Sequence, residues 1–197
     1  MSDFVPVLLV PGWKDRAQRL HWLRDEFVRA GWPQTGVGLV DFRDRFGSNI
    51  EHAEEIAAAV EALRKETGVE RIDVVAHSMG GLALRYYLHF HAAGSKIRRV
   101  VFTGTPHRGT WVAYLGWGQG AREMRPGHQL LAELRRRPSV PSGVSALCIH
   151  TPMETRVLPQ NSALLPDARH QRVWCPSHPR LLRSKKVFAA IRQFLQE

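Results

Sequence analysis

Short apolar runs alternate with longer amphipathic stretches along this chain, and that alternation constrains the fold more than any other feature. A continuous apolar run such as residues 5–10 predicts a buried strand, whereas a stretch such as residues 18–30, with apolar positions at helical spacing, predicts a helix. Strands that alternate with crossover helices build a parallel sheet. The sequence therefore predicts an α/β fold, in which a mostly parallel open sheet of about six strands is flanked by helices.

The predicted elements follow one another without a linker, a repeat or a low-complexity segment, so residues 1–197 are expected to form a single domain. Ser48 and Glu51 have the spacing of a capping box, which predicts the start of a helix that ends at Gly68. The further predicted strands cover residues 36–42, 72–76, 100–103, 144–150 and 172–175, and the further predicted helices cover residues 80–91, 130–136 and 184–195.

Composition limits the location and the partners of the protein. The apolar run at residues 5–10 is too short for a signal-peptide core or a membrane span, so we expect a cytoplasmic protein whose Cys148 and Cys175 are buried thiols. The net charge is +10, and residues 98–197 contain 16 Lys and Arg but five Asp and Glu. No aromatic-interleaved motif accompanies these basic residues, so we expect no nucleic acid and only weak contact with anionic lipid surfaces.

The segment Ala76-His-Ser78-Met-Gly-Gly81 joins a predicted strand to a predicted helix. A small residue two positions before and two positions after a serine at such a turn is typical of a nucleophile elbow, because the sharp turn crowds the neighbouring backbone. The turn would present the hydroxyl of Ser78 at the N-terminus of a helix. We therefore interpret Ser78 as a catalytic nucleophile rather than as a simple helix cap, and the side chain of His77 is expected to alternate away from it.

In this arrangement the acid and the histidine follow the serine in the chain. Glu154 comes just after a predicted strand, at the edge where open α/β sheets carry their sites, and it is the favoured acid. Asp167 lies in a predicted turn and remains an alternative. His178 follows the last predicted strand, whereas His170 precedes it, so His178 is the expected general base and Glu154 would orient its ring.

Backbone N–H groups are the expected donors to a developing oxyanion. Met79 directly follows the nucleophile, and its N–H lies at the start of the predicted helix. The second donor should come from the loop after the first strand, Val10-Pro-Gly-Trp13. Pro11 has no N–H, so the sequence predicts an oxyanion hole formed by the N–H groups of Trp13 and Met79.

The motifs resemble those of the esterase and lipase branch of the α/β-hydrolase fold, in particular the small bacterial lipases without a lid domain. The resemblance rests on the elbow around Ser78, on residues 104–110 (GTPHRGT), on residues 154–159 (ETRVLP) and on residues 178–182 (HPRLL). Three positions depart from the family pattern. Pro11 replaces a histidine before Gly12, Glu154 replaces an aspartate, and Ser177 replaces a glycine before His178.

The resemblance implies a serine hydrolase that cleaves carboxylic esters of short to medium acyl length through an acyl-enzyme. Residues 111–117 (WVAYLGW) are candidates to line an apolar substrate trough. An amidase or acyltransferase would use the same three residues, and a binding protein on a hydrolase fold is the non-enzymatic alternative. No motif for a metal or for a nucleotide cofactor is present, so neither is expected.

Overall fold

The computed structural model describes residues 4–91 and 95–197, and a six-stranded sheet forms its centre. All strand pairs are parallel, and the strand order is β2-β1-β3-β4-β5-β6. The strands are β1 Val7–Val10, β2 Val37–Leu39, β3 Ile72–His77, β4 Ile97–Thr103, β5 Ser145–His150 and β6 Arg169–Arg172. The helices are α1 His21–Arg29, α2 Asn49–Thr67, α3 Gly80–Phe90, α4 Gly118–Glu123, α5 Gln129–Arg135 and α6 Lys185–Gln196. The predicted open parallel sheet is confirmed.

Each face of the sheet has its own apolar layer, because successive side chains of a strand point to opposite faces. Leu8 and Val74 pack against α2 and α3, whereas their neighbours Leu9 and Val75 pack against α1 and α6. The central strands are therefore apolar on both faces, which explains their continuous hydrophobic runs. No helix of the described ranges has the length and apolar character that crossing a bilayer requires.

The last strand differs from the prediction. It covers Arg169–Arg172 rather than residues 172–175, and all four of its residues are exposed. This strand lies at the sheet edge and pairs only with β5, so it carries no apolar signal. Val173 and Cys175, which suggested the strand, instead pack with the apolar residues of α6. The loop that leads to His178 consequently starts earlier than the sequence indicated.

The start of α2 is capped differently from the expected capping box. Ser48 accepts a hydrogen bond from the N–H of Ile50, as predicted. The second partner is Glu123 of α4, whose carboxylate accepts hydrogen bonds from the N–H of Asn49 and from the hydroxyl of Ser48. The carboxylate comes from more than 70 residues away in the chain, so local spacing could not indicate it.

We expect the buried carboxylate of Asp73 to hold strands β3 and β4 together near their N-terminal ends. It accepts hydrogen bonds from the guanidinium of Arg98 at 3.0 and 2.6 Å and from the N–H of Arg99 at 3.1 Å, which links β3 to β4. Asp73→Ala should therefore lower the free energy of unfolding by about 2–4 kcal/mol in guanidinium chloride titrations. The control is Glu61→Ala, which removes an exposed partner of Lys96 and should cost less than about 1 kcal/mol. Equal effects of the two substitutions would contradict this role.

Candidate active site

Ser78 lies at a strained turn between β3 and α3. Its φ is +52°, in the left-handed region that non-glycine residues rarely adopt. The turn brings backbone segments into close contact, since a Cβ on Gly80 would lie 2.1 Å from the carbonyl oxygen of Pro11 and one on Gly81 would lie 2.1 Å from Oγ1 of Thr105. Packing therefore requires glycine at residue 80, one of the two positions that suggested an elbow, and at residue 81. Such strain is typical of functional positions.

Glu154 and His178 form a buried pair beside this turn. The side-chain Nδ1 of His178 lies 2.8 Å from Oε2 of Glu154, and the two residues are 3% and 6% exposed. A carboxylate on Nδ1 leaves Nε2 as the free nitrogen of the ring and fixes the tautomer. The structure therefore brings together the two side chains that the sequence suggested as partners.

The longer side chain of Glu154 folds back onto its own loop. Its Oε1 accepts hydrogen bonds from the N–H groups of Thr155, Arg156 and Val157 at 2.9, 2.7 and 3.3 Å. Burial alone would raise the pKa of Glu154, but the hydrogen bond and charge of His178, together with the backbone donors, hold it below its ordinary value. The carboxylate is therefore ionised and rigidly held.

Asp167, the alternative acid, is engaged elsewhere. Its Oδ2 lies 3.3 Å from the hydroxyl and 3.4 Å from the N–H of Ser139. His170 lies in the edge strand β6, where its Nε2 donates to the carbonyl oxygen of Leu165. Neither side chain belongs to the site around Ser78.

His77 does not point away from the site, contrary to the expectation from strand alternation. Its ring centroid is 4.6 Å from that of His178, and its Nδ1 donates to the carbonyl oxygen of Thr103 at 3.0 Å. The left-handed turn at Ser78 ends the strand alternation, so consecutive side chains both reach the site. Burial, reinforced by the charge of His178, holds the pKa of His77 well below its ordinary value. His77 therefore stays neutral.

The two predicted oxyanion donors lie beside the serine. A Cβ on Gly12, next to Trp13, would lie 2.9 Å from Cβ of Ser78, so the loop after β1 approaches Ser78 closely. Met79 is the residue before the first turn of α3. Within the described part of the chain, the N–H groups of Trp13 and Met79 donate no hydrogen bond to other backbone or side-chain atoms. Both remain available to a substrate oxygen.

A cavity of about 390 Å³, here called the Ser78 cavity, opens above these groups. Ser78, His77 and His178 are among the residues that line it. One wall is apolar and comes from α4 and from the segment before it: Val112, Ala113, Leu115, Trp117, Ala121 and Met124. Among the described residues, no group of three or more His, Cys, Asp or Glu side chains is placed to hold a metal ion.

Comparisons with known proteins agree with this architecture. Lipase BlEst2 of Bacillus licheniformis in its mature form superposes with a TM-score of 0.80 at 16% identity, over 98% of this chain and 92% of that one. Lipase B of Aspergillus fumigatus superposes with a TM-score of 0.83 at 16% identity, over 98% of this chain and 53% of that one. The product of the gene lin2722 of Listeria innocua superposes with a TM-score of 0.74 at 16% identity, over 99% of this chain and 95% of that one. Residues 11–137 match the family model of the α/β hydrolase fold, and this chain therefore belongs to that family.

Proposed function

We propose that this protein is a serine hydrolase that cleaves carboxylic esters with an apolar acyl part through an acyl-enzyme. The observation that carries the proposal is the buried hydrogen bond of 2.8 Å between Glu154 and His178, whose ring lines the same cavity as Ser78. A buried acid–imidazole pair next to a strained serine is the arrangement that activates a hydroxyl nucleophile.

The reaction follows from the roles of these groups. His178 takes the proton of Ser78 as Oγ attacks the ester carbonyl carbon, and the N–H groups of Trp13 and Met79 donate to the oxyanion. When the tetrahedral intermediate collapses, His178 gives its proton to the leaving alcohol and the acyl group stays on Ser78. Water then attacks the acyl-enzyme, His178 takes a proton from that water, and the free acid and the serine hydroxyl are restored.

Two features support an ester with an apolar acyl part. The wall formed by Val112, Trp117 and Met124 offers apolar surface on one side of Ser78, and the cavity of about 390 Å³ suits a short or medium chain. Two of the similar structures are named as lipases.

The free thiols of Cys148 and Cys175 are compatible with the cytoplasmic location expected from the sequence.

The first test is hydrolysis of p-nitrophenyl esters from acetyl to palmitoyl. Ser78→Ala should lower kcat by at least about 10³-fold, because the variant lacks the nucleophilic hydroxyl. Ser145→Ala is the matched control, since Ser145 is an exposed residue at the start of β5, and it should keep wild-type turnover. Retained turnover in Ser78→Ala would contradict the proposal, and faster turnover of matched anilides than of esters would favour an amidase.

Ser78→Gly separates the lost hydroxyl from the backbone strain. Both Ser78→Gly and Ser78→Ala remove the nucleophile, but only glycine adopts a φ of +52° without steric cost. We expect Ser78→Gly to be more stable to unfolding than Ser78→Ala by about 1 kcal/mol, as measured in guanidinium chloride. Equal stability of the two variants would mean that the turn at residue 78 stores no strain.

Glu154→Gln tests the choice of acid. It should lower kcat at least about tenfold. Asp167→Asn should leave kcat within about twofold of wild type, because among the described residues the Asp167 carboxylate accepts hydrogen bonds from Ser139 alone. The opposite result would make Asp167 the acid.

The same variant has a pH signature. The pKa of Glu154 in the folded protein lies below its ordinary 4.5, so the carboxylate stabilises the fold fully above about pH 4.5. That contribution disappears as the pH falls through the lowered pKa. Glu154→Gln should therefore cost about 1–3 kcal/mol of unfolding free energy at pH 7 and progressively less in acid. A cost that does not change with pH would contradict an ionised Glu154.

A further inference from the structure

A second cavity, of about 260 Å³, adjoins the Ser78 cavity and is lined by Arg19, Pro179, Arg180 and Arg183. It is here called the arginine cavity. Arg19 and Pro179 line both cavities, so the two spaces share a wall. Pro179 directly follows His178, and the arginine cavity therefore lies next to the general base.

Local backbone geometry collects the arginines. Residues 178–183 form a 3-10 helix, and residues three apart in such a helix project on the same side. Arg180 and Arg183 therefore point together, and Arg19 faces them from the 3-10 helix Ala17–Leu20 that follows β1. The sequence spacing of these residues places three guanidinium groups around one concave space.

Two of these guanidinium groups lack anionic partners. Among the described residues, the side chains of Arg180 and Arg183 make no hydrogen bond and no salt bridge. Arg19 carries a buried Nε without a hydrogen-bond partner, and Asp15 Oδ1 lies 3.9 Å from it. Asp15 is also the only acidic residue among those that line the two cavities.

Three guanidinium groups around one cavity, with Asp15 as the partner of one of them, repel one another and attract a further anion from solution. Guanidinium groups bind carboxylate and phosphate oxygens with paired, charge-assisted hydrogen bonds. Lys14 and Arg156 extend the positive charge along the rim of the Ser78 cavity. The chemistry of this site therefore matches an oxyanion-bearing group.

The position of the arginine cavity relates it to one part of the substrate. In the proposed reaction, which this inference takes as its basis, His178 hands its proton to the leaving alcohol, so the alcohol portion lies on the side of His178. The apolar wall is built from other elements, α4 and the segment before it, and is available to the acyl chain. We propose that the arginine cavity binds a carboxylate or phosphate carried by the alcohol portion of the ester.

The test compares two esters that differ in one group of the alcohol: 4-butanoyloxy-3-nitrobenzoate, which is anionic, and its neutral amide, 4-butanoyloxy-3-nitrobenzamide. Wild-type protein should show a higher kcat/KM for the anion. In Arg180→Gln/Arg183→Gln the ratio of anionic to neutral kcat/KM should fall about tenfold. Arg192→Gln, an exposed arginine on α6, is the matched control and should keep the wild-type ratio.

Two further measurements test whether the arginines instead bind a charge on the acyl part or a lipid surface. The mono-4-nitrophenyl ester of succinate carries its charge on the acyl part, and a preference for it that depends on Arg180 and Arg183 would overturn the placement on the alcohol side. Co-sedimentation with phosphatidylcholine vesicles, with and without phosphatidylglycerol, tests a membrane contact. If the double variant loses vesicle binding and keeps the ester ratio, the arginines bind lipid surfaces and the proposal is wrong.

A binding measurement distinguishes failure of this inference from failure of the proposed function. Turnover of the neutral ester that Ser78→Ala abolishes, without any preference for the anion, would retain the hydrolase and overturn the anion site. If neither ester is hydrolysed, calorimetric titration of 4-hydroxy-3-nitrobenzoate into Ser78→Ala decides the question. The comparison compound is the matching amide, 4-hydroxy-3-nitrobenzamide. The site is supported if the benzoate binds more tightly than this amide and if the Arg180→Gln/Arg183→Gln substitutions abolish that difference. Equal binding of the two compounds overturns it.

Discussion

The close approach of α3 to the loop after β1 is the constraint on which the rest of the site depends. Any side chain at residue 80 would collide with the carbonyl of Pro11, and any at residue 81 would collide with Thr105. Because these contacts leave no room for a Cβ, the chain turns sharply at Ser78 and holds that residue at a positive φ. The packing of α3 against the loops that follow β1 and β4 thus maintains the strained turn. Backbone packing thus presents the serine at the carboxyl end of the central strand β3.

The buried pair of Glu154 and His178 depends in turn on the loops that follow β5 and β6. Three consecutive N–H groups satisfy one oxygen of Glu154, so the other oxygen is free to hold the imidazole. An aspartate is shorter by one methylene and would need a different loop to reach both partners. The substitution of glutamate for the usual family residue is therefore accommodated by the loop rather than by the position of His178. Gly104, which has a φ of +59°, leaves space for that ring, since a Cβ there would lie 3.0 Å from it.

The features that the sequence predicted correctly are those with a local signal. The strands β1 and β3 are continuous apolar runs, and the elbow is a strand-turn-helix with small residues at fixed spacing. The features that differ depend on contacts between distant segments or on the sheet edge. Strand β6 is exposed and carries no pattern, Glu123 caps α2 from 74 residues away, and His77 turns into the site because the elbow ends the alternation. Neither apolar periodicity nor spacing encodes these arrangements.

Separate connections of the parallel sheet contribute the chemistry and the recognition surfaces, because the carboxyl ends of all its strands meet at one edge. The turn after β3 carries Ser78, and the loops after β5 and β6 carry Glu154 and His178. The connection after β4 carries the apolar wall, whereas the connection after β1 and the 3-10 helix behind His178 carry the arginines. Since these connections are independent segments of chain, charge and apolar surface can change on either side of Ser78 while the reacting groups stay in place. The shared wall formed by Arg19 and Pro179 is where the two surfaces meet, and it lies beside the imidazole that would protonate the leaving group.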